Sequence, residues 1–230
     1  MKLLALDTAG SVSSAAAWAS GHCLARAEFG TGHHGEQALA LIDRVLVEAG
    51  VALRELDAIA FGRGPGAFTG VRLAVGLAQG LAYSTGLPVI PVSNLAAAAQ
   101  RAFGLEGAPE RRLVCQDARR HEVYWACYLR GDAGPREASA EAVGPPADVA
   151  LAEEGFGEGA AWGIGTGFDA YPALREALGA RLRRVLTLES RAEDVAALAE
   201  RWGPEAAIDP MHAVPRYLRD DVAVPPVAGA

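Results

Sequence analysis

Lys2-Leu-Leu-Ala-Leu-Asp-Thr-Ala-Gly-Ser11, Val12-Ser-Ser-Ala-Ala-Ala-Trp-Ala-Ser-Gly21 and His22-Cys-Leu-Ala-Arg-Ala-Glu-Phe29 follow one another at the start of the chain. Lys2 to Leu6 is apolar enough for a buried strand, and Asp7 to Ser11 has the composition of a turn. Ser14 to Ala19 is a small-residue strand, and Gly21 turns the chain into a third, Cys23 to Phe29. Three antiparallel strands in succession, followed by alternating helices and strands, point to an α/β domain built on a mixed sheet.

Working outward, Gly30-Thr-Gly32 leads to a helix expected over Glu36 to Ala49, with Leu39, Ile42, Leu46 and Ala49 on one face and Gly50 as its stop. Leu41 and Val45 widen the apolar band beyond one stripe, so the helix has to bury a second side. A short strand over Asp57 to Phe61 runs into the loop Gly62-Arg63-Gly64-Pro65-Gly66. A helix over Gly70 to Thr85 follows, closed by Gly86 and Pro88. Pro88 to Val92 is the next strand, and Asn94 is placed to cap a short helix over Leu95 to Ala102. The order is βββαβαβ.

Past a Gly/Pro-containing linker at 103–110, strands at Val114 to Asp117 and Val123 to Leu129 form a hairpin around Ala118 to Glu122. Residues 131–146 read as polar and turn-rich, and Trp162-Gly-Ile-Gly-Thr-Gly167 as a glycine-rich turn before a short helix near Tyr171 to Leu178. The last helix has a capping-box spacing at Ser190-Arg-Ala-Glu193, an apolar face of Val195, Leu198, Ala199 and Trp202, and Gly203 as its end.

Composition narrows the function. The 230 residues, 51% of them hydrophobic, can build ordinary cores, while a net charge of -7 gives no global positive field for phosphate backbones. No apolar run approaches the roughly 18 residues of a membrane helix, and the apolar start is too short for a secretory leader. Cys23, Cys115 and Cys127 are too few and too scattered for a disulfide framework or a CxxC metal site, as expected of a reduced cytoplasmic protein.

Four segments together, Leu3-Leu-Ala-Leu-Asp-Thr8, Ala60-Phe-Gly-Arg-Gly-Pro-Gly-Ala-Phe-Thr-Gly-Val-Arg72, Asp117-Ala-Arg-Arg120 and Pro215-Arg-Tyr-Leu-Arg219, resemble the TsaB (YeaZ) family. The first and last lie near the two ends, so the likeness spans nearly the whole chain. The resemblance implies an actin-like ATPase fold (ASKHA, ribonuclease H-like): two related subdomains with mixed sheets flanked by helices. Residues 1–104 would form the half carrying the partner-binding helices, and 105–230 the other, its last helix packing back on the first. It also implies a role in placing threonylcarbamoyl on the adenosine beside the anticodon of ANN-reading tRNAs. The partners implied are a larger TsaD-like paralogue that holds the chemistry, a small TsaE-like ATPase, and a second copy when the chain is alone. tRNA is met only through the complex, with no membrane and no cofactor.

The residues agree with a non-catalytic role. In actin-like ATPases two glycine-rich hairpins bring backbone N–H groups to the nucleotide phosphates. Asp7-Thr-Ala-Gly-Ser11 is compatible with this, but Asp117-Ala-Arg-Arg-His-Glu122 has no glycine and puts bulky side chains before the backbone. The HxxxH metal pair of the larger paralogue corresponds here to Asn94 and Ala98, which cannot replace two imidazoles. His33, His34 and Glu36 lack a fourth ligand, and no GxSxG elbow supports proteolysis. An anion or nucleotide contact remains open around Asp7, Gly10, Arg63, Gly64, Gly66 and Arg72, where glycines precede a helix N-terminus.

The helix over Gly70 to Thr85 spends glycines at 70, 76 and 80, each costing about 1 kcal/mol against alanine. Leu39, Ile42, Leu46, Leu73, Gly76, Leu77 and Gly80 are the expected partner-binding surface, against the alternative that these helices merely pack on their own sheet. The runner-up function is a self-sufficient ATP-dependent small-molecule kinase of the same superfold.

Overall fold

A computed structural model describes residues 1–29, 34–152, 156 and 161–219. The turn at residues 30–32, His33 and the tail from 222 lie outside the described residues.

The first sheet contains β1 (Leu3–Asp7), β2 (Val12–Ala19), β3 (His22–Phe29), β4 (Ala58–Gly62) and β5 (Val89–Val92), in the order β3-β2-β1-β4-β5. β1 pairs antiparallel with β2 and parallel with β4, Leu3 facing Trp18 on one side and Ala58 on the other. The second sheet contains β6 (Arg111–Arg119), β7 (Glu122–Gly131), β8 (Gly134–Glu137), β10 (Ala161–Ile164) and β11 (Leu182–Leu186), with β9 (Ala142–Gly144) also on β7. Its order, β8-β7-β6-β10-β11, repeats that of the first sheet, with the same antiparallel and parallel neighbours. Two copies of one βββ-β-β plan therefore make the molecule, as the actin-like fold requires.

Every residue of β1 is buried, because both its faces are covered. Leu4 and Leu6 meet α1 (His34–Ala49), whose Leu41, Ile42, Val45 and Leu46 form one core; α2 (Phe68–Thr85) lies beside α1 over β4. Leu3 and Ala5 face the opposite core, between the two sheets, where α3 (Asn94–Phe103) and α6 (Ala192–Trp202) are sandwiched. That core is largely alanine, at 96–99, 102, 192, 196 and 199, which lets two helices fit between two sheets. α6 follows the second sheet in sequence yet packs on β1, β2 and β4 of the first. α4 (Gly167–Ala170) and α5 (Pro172–Leu178) cover the outer face of the second sheet.

Five local readings are corrected. Residues 161–164 form β10 and not a turn, since a four-residue strand containing Gly163 shows no periodicity. β8 and β9 occupy the stretch read as turns, and β11 has no counterpart in the sequence reading. The cap of α3 is Ser93, whose hydroxyl accepts the Ala96 N–H at 3.2 Å; the helix starts one residue earlier than expected, so Asn94 is its first residue. α6 likewise starts later than the capping-box spacing suggests, with Asp194 accepting the Arg191 N–H at 3.0 Å and Ser190 left for other contacts.

Candidate functional site

Two features stand out: a cleft between the halves and an uncovered helical face. The cleft encloses about 960 Å³ and is lined by Gly10 and Ser11 of the first hairpin, Asp117, Arg119 and Arg120 of the second, and Glu189 among others.

The first hairpin is gripped from both sides. The Ala67 N–H donates to the Ala9 carbonyl at 2.8 Å and the Thr8 hydroxyl to the Gly70 carbonyl at 2.6 Å. A β-carbon on Gly66 would lie 2.8 Å from that of Ala9, so glycine is required where loop and hairpin touch. From the other side, Glu189 accepts the Ser11 N–H at 3.2 and 3.3 Å and the Ser11 hydroxyl.

Asp7, at the end of β1, is 1% exposed. Its Oδ1 accepts the Ala9 N–H and the Asn94 amide, both at 2.9 Å. Burial raises its pKa above the ordinary carboxylate value; Ser190, the Ala9 N–H and Asn94 act against that rise, and the negative charge of Glu189 adds to it. Asn94 is the hub of this junction. Its Oδ1 accepts the Gly64 N–H at 2.7 Å while its Nδ2 also donates to the Ser190 hydroxyl at 2.9 Å. Beside it, Ser14 accepts the Ala192 N–H at 2.9 Å, tying the start of α6 to β2.

The second hairpin turns tightly between β6 and β7. Arg119, Arg120 and His121 all take left-handed backbone, at φ of 61°, 55° and 61°, where non-glycine residues cost about 1 kcal/mol or more each. The Arg119 N–H and guanidinium are held by Asp117 at 2.9 and 3.1 Å, and Arg219 pairs with Glu122. Side chains, and not bare backbone, face the cleft here.

Of the six residues proposed for an anion, Gly10 and Gly66 line the cleft, and the other four do not. Asp7 is sealed beneath the hairpin. The glycine loop spends its donors internally: Arg63 N–H on the Val92 carbonyl at 2.8 Å, Gly64 on Asn94 and Ala67 on Ala9. The expected row of free N–H groups is therefore absent at these three positions. Gly64, at φ of 98°, lies against the Arg216 carbonyl, and the Arg216 N–H donates to the Arg63 carbonyl at 2.7 Å, so the 214–219 segment is strapped onto the loop. Arg72 lies 3.7 Å over the Phe68 ring and donates to the Tyr217 hydroxyl at 2.6 Å.

On the helical face, Gly76 and Gly80 are exposed one turn apart on α2, and a β-carbon at either would meet nothing within 4 Å among the described residues. Leu73 and Leu77 flank them half-buried, and Tyr83, a turn further, is 91% exposed. α1 contributes Leu39 and Val47, 51% and 72% exposed and about two turns apart along the helix. Ile42 and Leu46, expected on the same surface, are buried at 4% and 9% in the core beneath α1. The wide apolar band of α1 thus splits between its own sheet and solvent.

Sequence reading also missed Glu189 and Glu141, single acids in loops with no motif around them. Glu141 is buried and accepts the hydroxyls of Ser93 and, at 3.2 Å, Tyr128. Among the described residues no three His, Cys, Asp or Glu side chains gather as metal ligands, and no helix is long and apolar enough to cross a membrane. All three cysteines are unpaired.

A family model described as TsaD, tRNA N6-adenosine threonylcarbamoyltransferase, matches residues 28–199. The tRNA threonylcarbamoyladenosine biosynthesis protein TsaB of Escherichia coli K12 is 40% identical over 228 residues, covering 97% of this chain and 96% of that one. The protein of the same name from Haemophilus influenzae is 46% identical over 130 residues, 56% of this chain and 55% of its own. The solved structure of YeaZ from Pseudomonas aeruginosa superposes with a TM-score of 0.84 at 42% identity, covering 94% of this chain and 99% of that one. Being 40% identical to the Escherichia coli protein over nearly the full length of both, and sharing the fold of YeaZ, the chain belongs to the TsaB family.

Proposed function

We propose that this chain is the non-catalytic docking and activating subunit in the threonylcarbamoyl modification of the adenosine beside the anticodon of ANN-reading tRNAs. It acts in the cytoplasm by binding a larger, TsaD-like paralogue, with a TsaE-like ATPase joining the pair, and it self-pairs when that paralogue is missing. The single observation that carries this reading is the exposure of Gly76 and Gly80. Two exposed helix glycines at which an added β-carbon would meet nothing within 4 Å among the described residues, between half-buried leucines and an exposed tyrosine, leave space for another helix to approach closely. Leu39, Leu73, Gly76, Leu77 and Gly80 form the docking surface, with Val47 and Tyr83 extending it, while Ile42 and Leu46 support it from beneath.

The absence of catalysis rests on the second hairpin. Arg119, Arg120 and His121 in left-handed backbone present long side chains where a phosphate cradle needs bare N–H groups. The kinase alternative draws no support from the TsaB relatives. A pull-down with the purified TsaD-like paralogue tests docking: the wild-type chain is captured and Gly76→Trp, at unchanged circular dichroism, is not. Equal capture of both would overturn the assignment.

A further inference from the structure

The first hairpin already holds an anion, and it belongs to the chain itself. The Glu189 carboxylate, in the loop between β11 and α6, rests on the backbone N–H and the hydroxyl of Ser11. A β-carbon on Gly10 would lie 2.8 Å from Glu189 Oε1, so the bare glycine is what admits the carboxylate. An oxygen anion seated on the donors of a small-residue hairpin is the arrangement by which such hairpins take phosphate oxygens. The surroundings suit a more highly charged guest than one carboxylate. Arg120 and Arg191 line the same cleft, and neither forms an ion pair among the described residues.

We infer that the cleft is a phosphate-binding site whose anion position is filled by Glu189, an internal competitor that keeps phosphate-bearing ligands out. Glu189 is tethered within the fold, so an outside phosphate competes with an effective concentration in the millimolar range. Asp7, sealed beneath the hairpin, also feels the charge of Glu189. Removing that charge vacates the Ser11 donors and lowers the local negative potential at once. The site so exposed holds phosphate on the first hairpin alone, because the second presents side chains where a cradle needs bare N–H groups. This inference is independent of the helical docking face, and its failure leaves that reading standing.

Calorimetry on the full chain with inorganic pyrophosphate and, separately, with ADP tests it. Wild type is expected to bind either ligand weakly. Glu189→Ala tightens binding about tenfold or more, Glu189→Gln, which keeps the shape without the charge, falls between, and adding Arg120→Ala to Glu189→Ala cancels the gain. Hydrogen exchange at the Ser11 amide accelerates in Glu189→Ala and slows again with ligand. A gain for both ligands assigns the site to phosphate alone; a gain for ADP only assigns it to a nucleoside diphosphate. Folding is checked by circular dichroism, and Glu189→Gln carries the test if the alanine variant fails to fold. Affinities in the folded variants no tighter than wild type for either ligand, or a gain that leaves Ser11 exchange unchanged by ligand, would overturn it.

Discussion

A β-carbon built on Gly70 would lie 1.9 Å from the carbonyl oxygen of Thr8. One on Gly76 or Gly80, on the same helix, would meet nothing within 4 Å among the described residues. The three glycines therefore have different causes. Gly70 lets α2 begin against the first hairpin, while the other two are unexplained by their own chain. Gly70→Ala is expected to destabilise the fold by about 3 kcal/mol. Gly76→Ala and Gly80→Ala are expected to stabilise it by about 1 kcal/mol each. Urea denaturation of dilute protein measures all three; a neutral Gly70→Ala would contradict the close packing.

Asn94 holds Gly64, Asp7 and Ser190 with one amide, and Ser190 comes from the loop that enters α6. Asn94→Ala leaves a buried carboxylate and a backbone N–H without their partner, at a cost of about 2–4 kcal/mol. The thermal midpoint reads this. Loss at that scale, with α3 still capped by Ser93, separates the bridging role from the capping role that its sequence position suggests.

The raised pKa of Asp7 has a pH signature. Because the folded state holds the proton more tightly than the unfolded value of 3.8, Asp7 contributes stability that is present below about pH 4 and lost as pH rises through the higher folded value. Asp7→Asn keeps an oxygen for Ala9 and Asn94 and removes the ionisation. Its stability is expected to fall less than that of wild type as pH is raised from about 4 to 7. Parallel profiles for the two proteins would show that Asp7 is not the group responsible.

The proposed self-pairing uses the same surface as the proposed docking. Leu39→Glu with Val47→Glu places two charges on the exposed side of α1 without touching the buried Ile42 or Leu46. Wild type is expected to sediment as a dimer and the double variant as a monomer at the same concentration, with the variant's thermal midpoint within about 2–4 °C of the dilute wild type. A dimer of undiminished affinity would place the interface elsewhere.

Much of the first half was legible because its signals are local. β1 is continuous apolar sequence, β2 is a run of small residues, and Gly50 and Gly86 end α1 and α2, none of which needs tertiary information. The second half was less so. β8 and β10 have four residues and β9 three, too few for a period to show, and Gly163 sits in β10 because Phe168 would lie 2.8 Å from any β-carbon there. Pairing partners, and not their own composition, make them strands. The site divides in the same way. Glycines at 76 and 80 are visible as a helix cost, but which of Leu39, Ile42 and Leu46 face solvent depends on how α1 rotates over β2 and β3. Glu189 reaches Ser11 across 178 residues of sequence, a contact no local pattern encodes.

The central claim is that an uncovered helical face, and not a nucleotide cleft, is the working surface. Its most direct measurement is threonylcarbamoyl transfer to an ANN-reading tRNA by the purified system, with the chain omitted, present as wild type, or present as folded Gly76→Trp. The account predicts transfer with wild type and the same low level in the other two. Full transfer with Gly76→Trp, or without the chain, would contradict it.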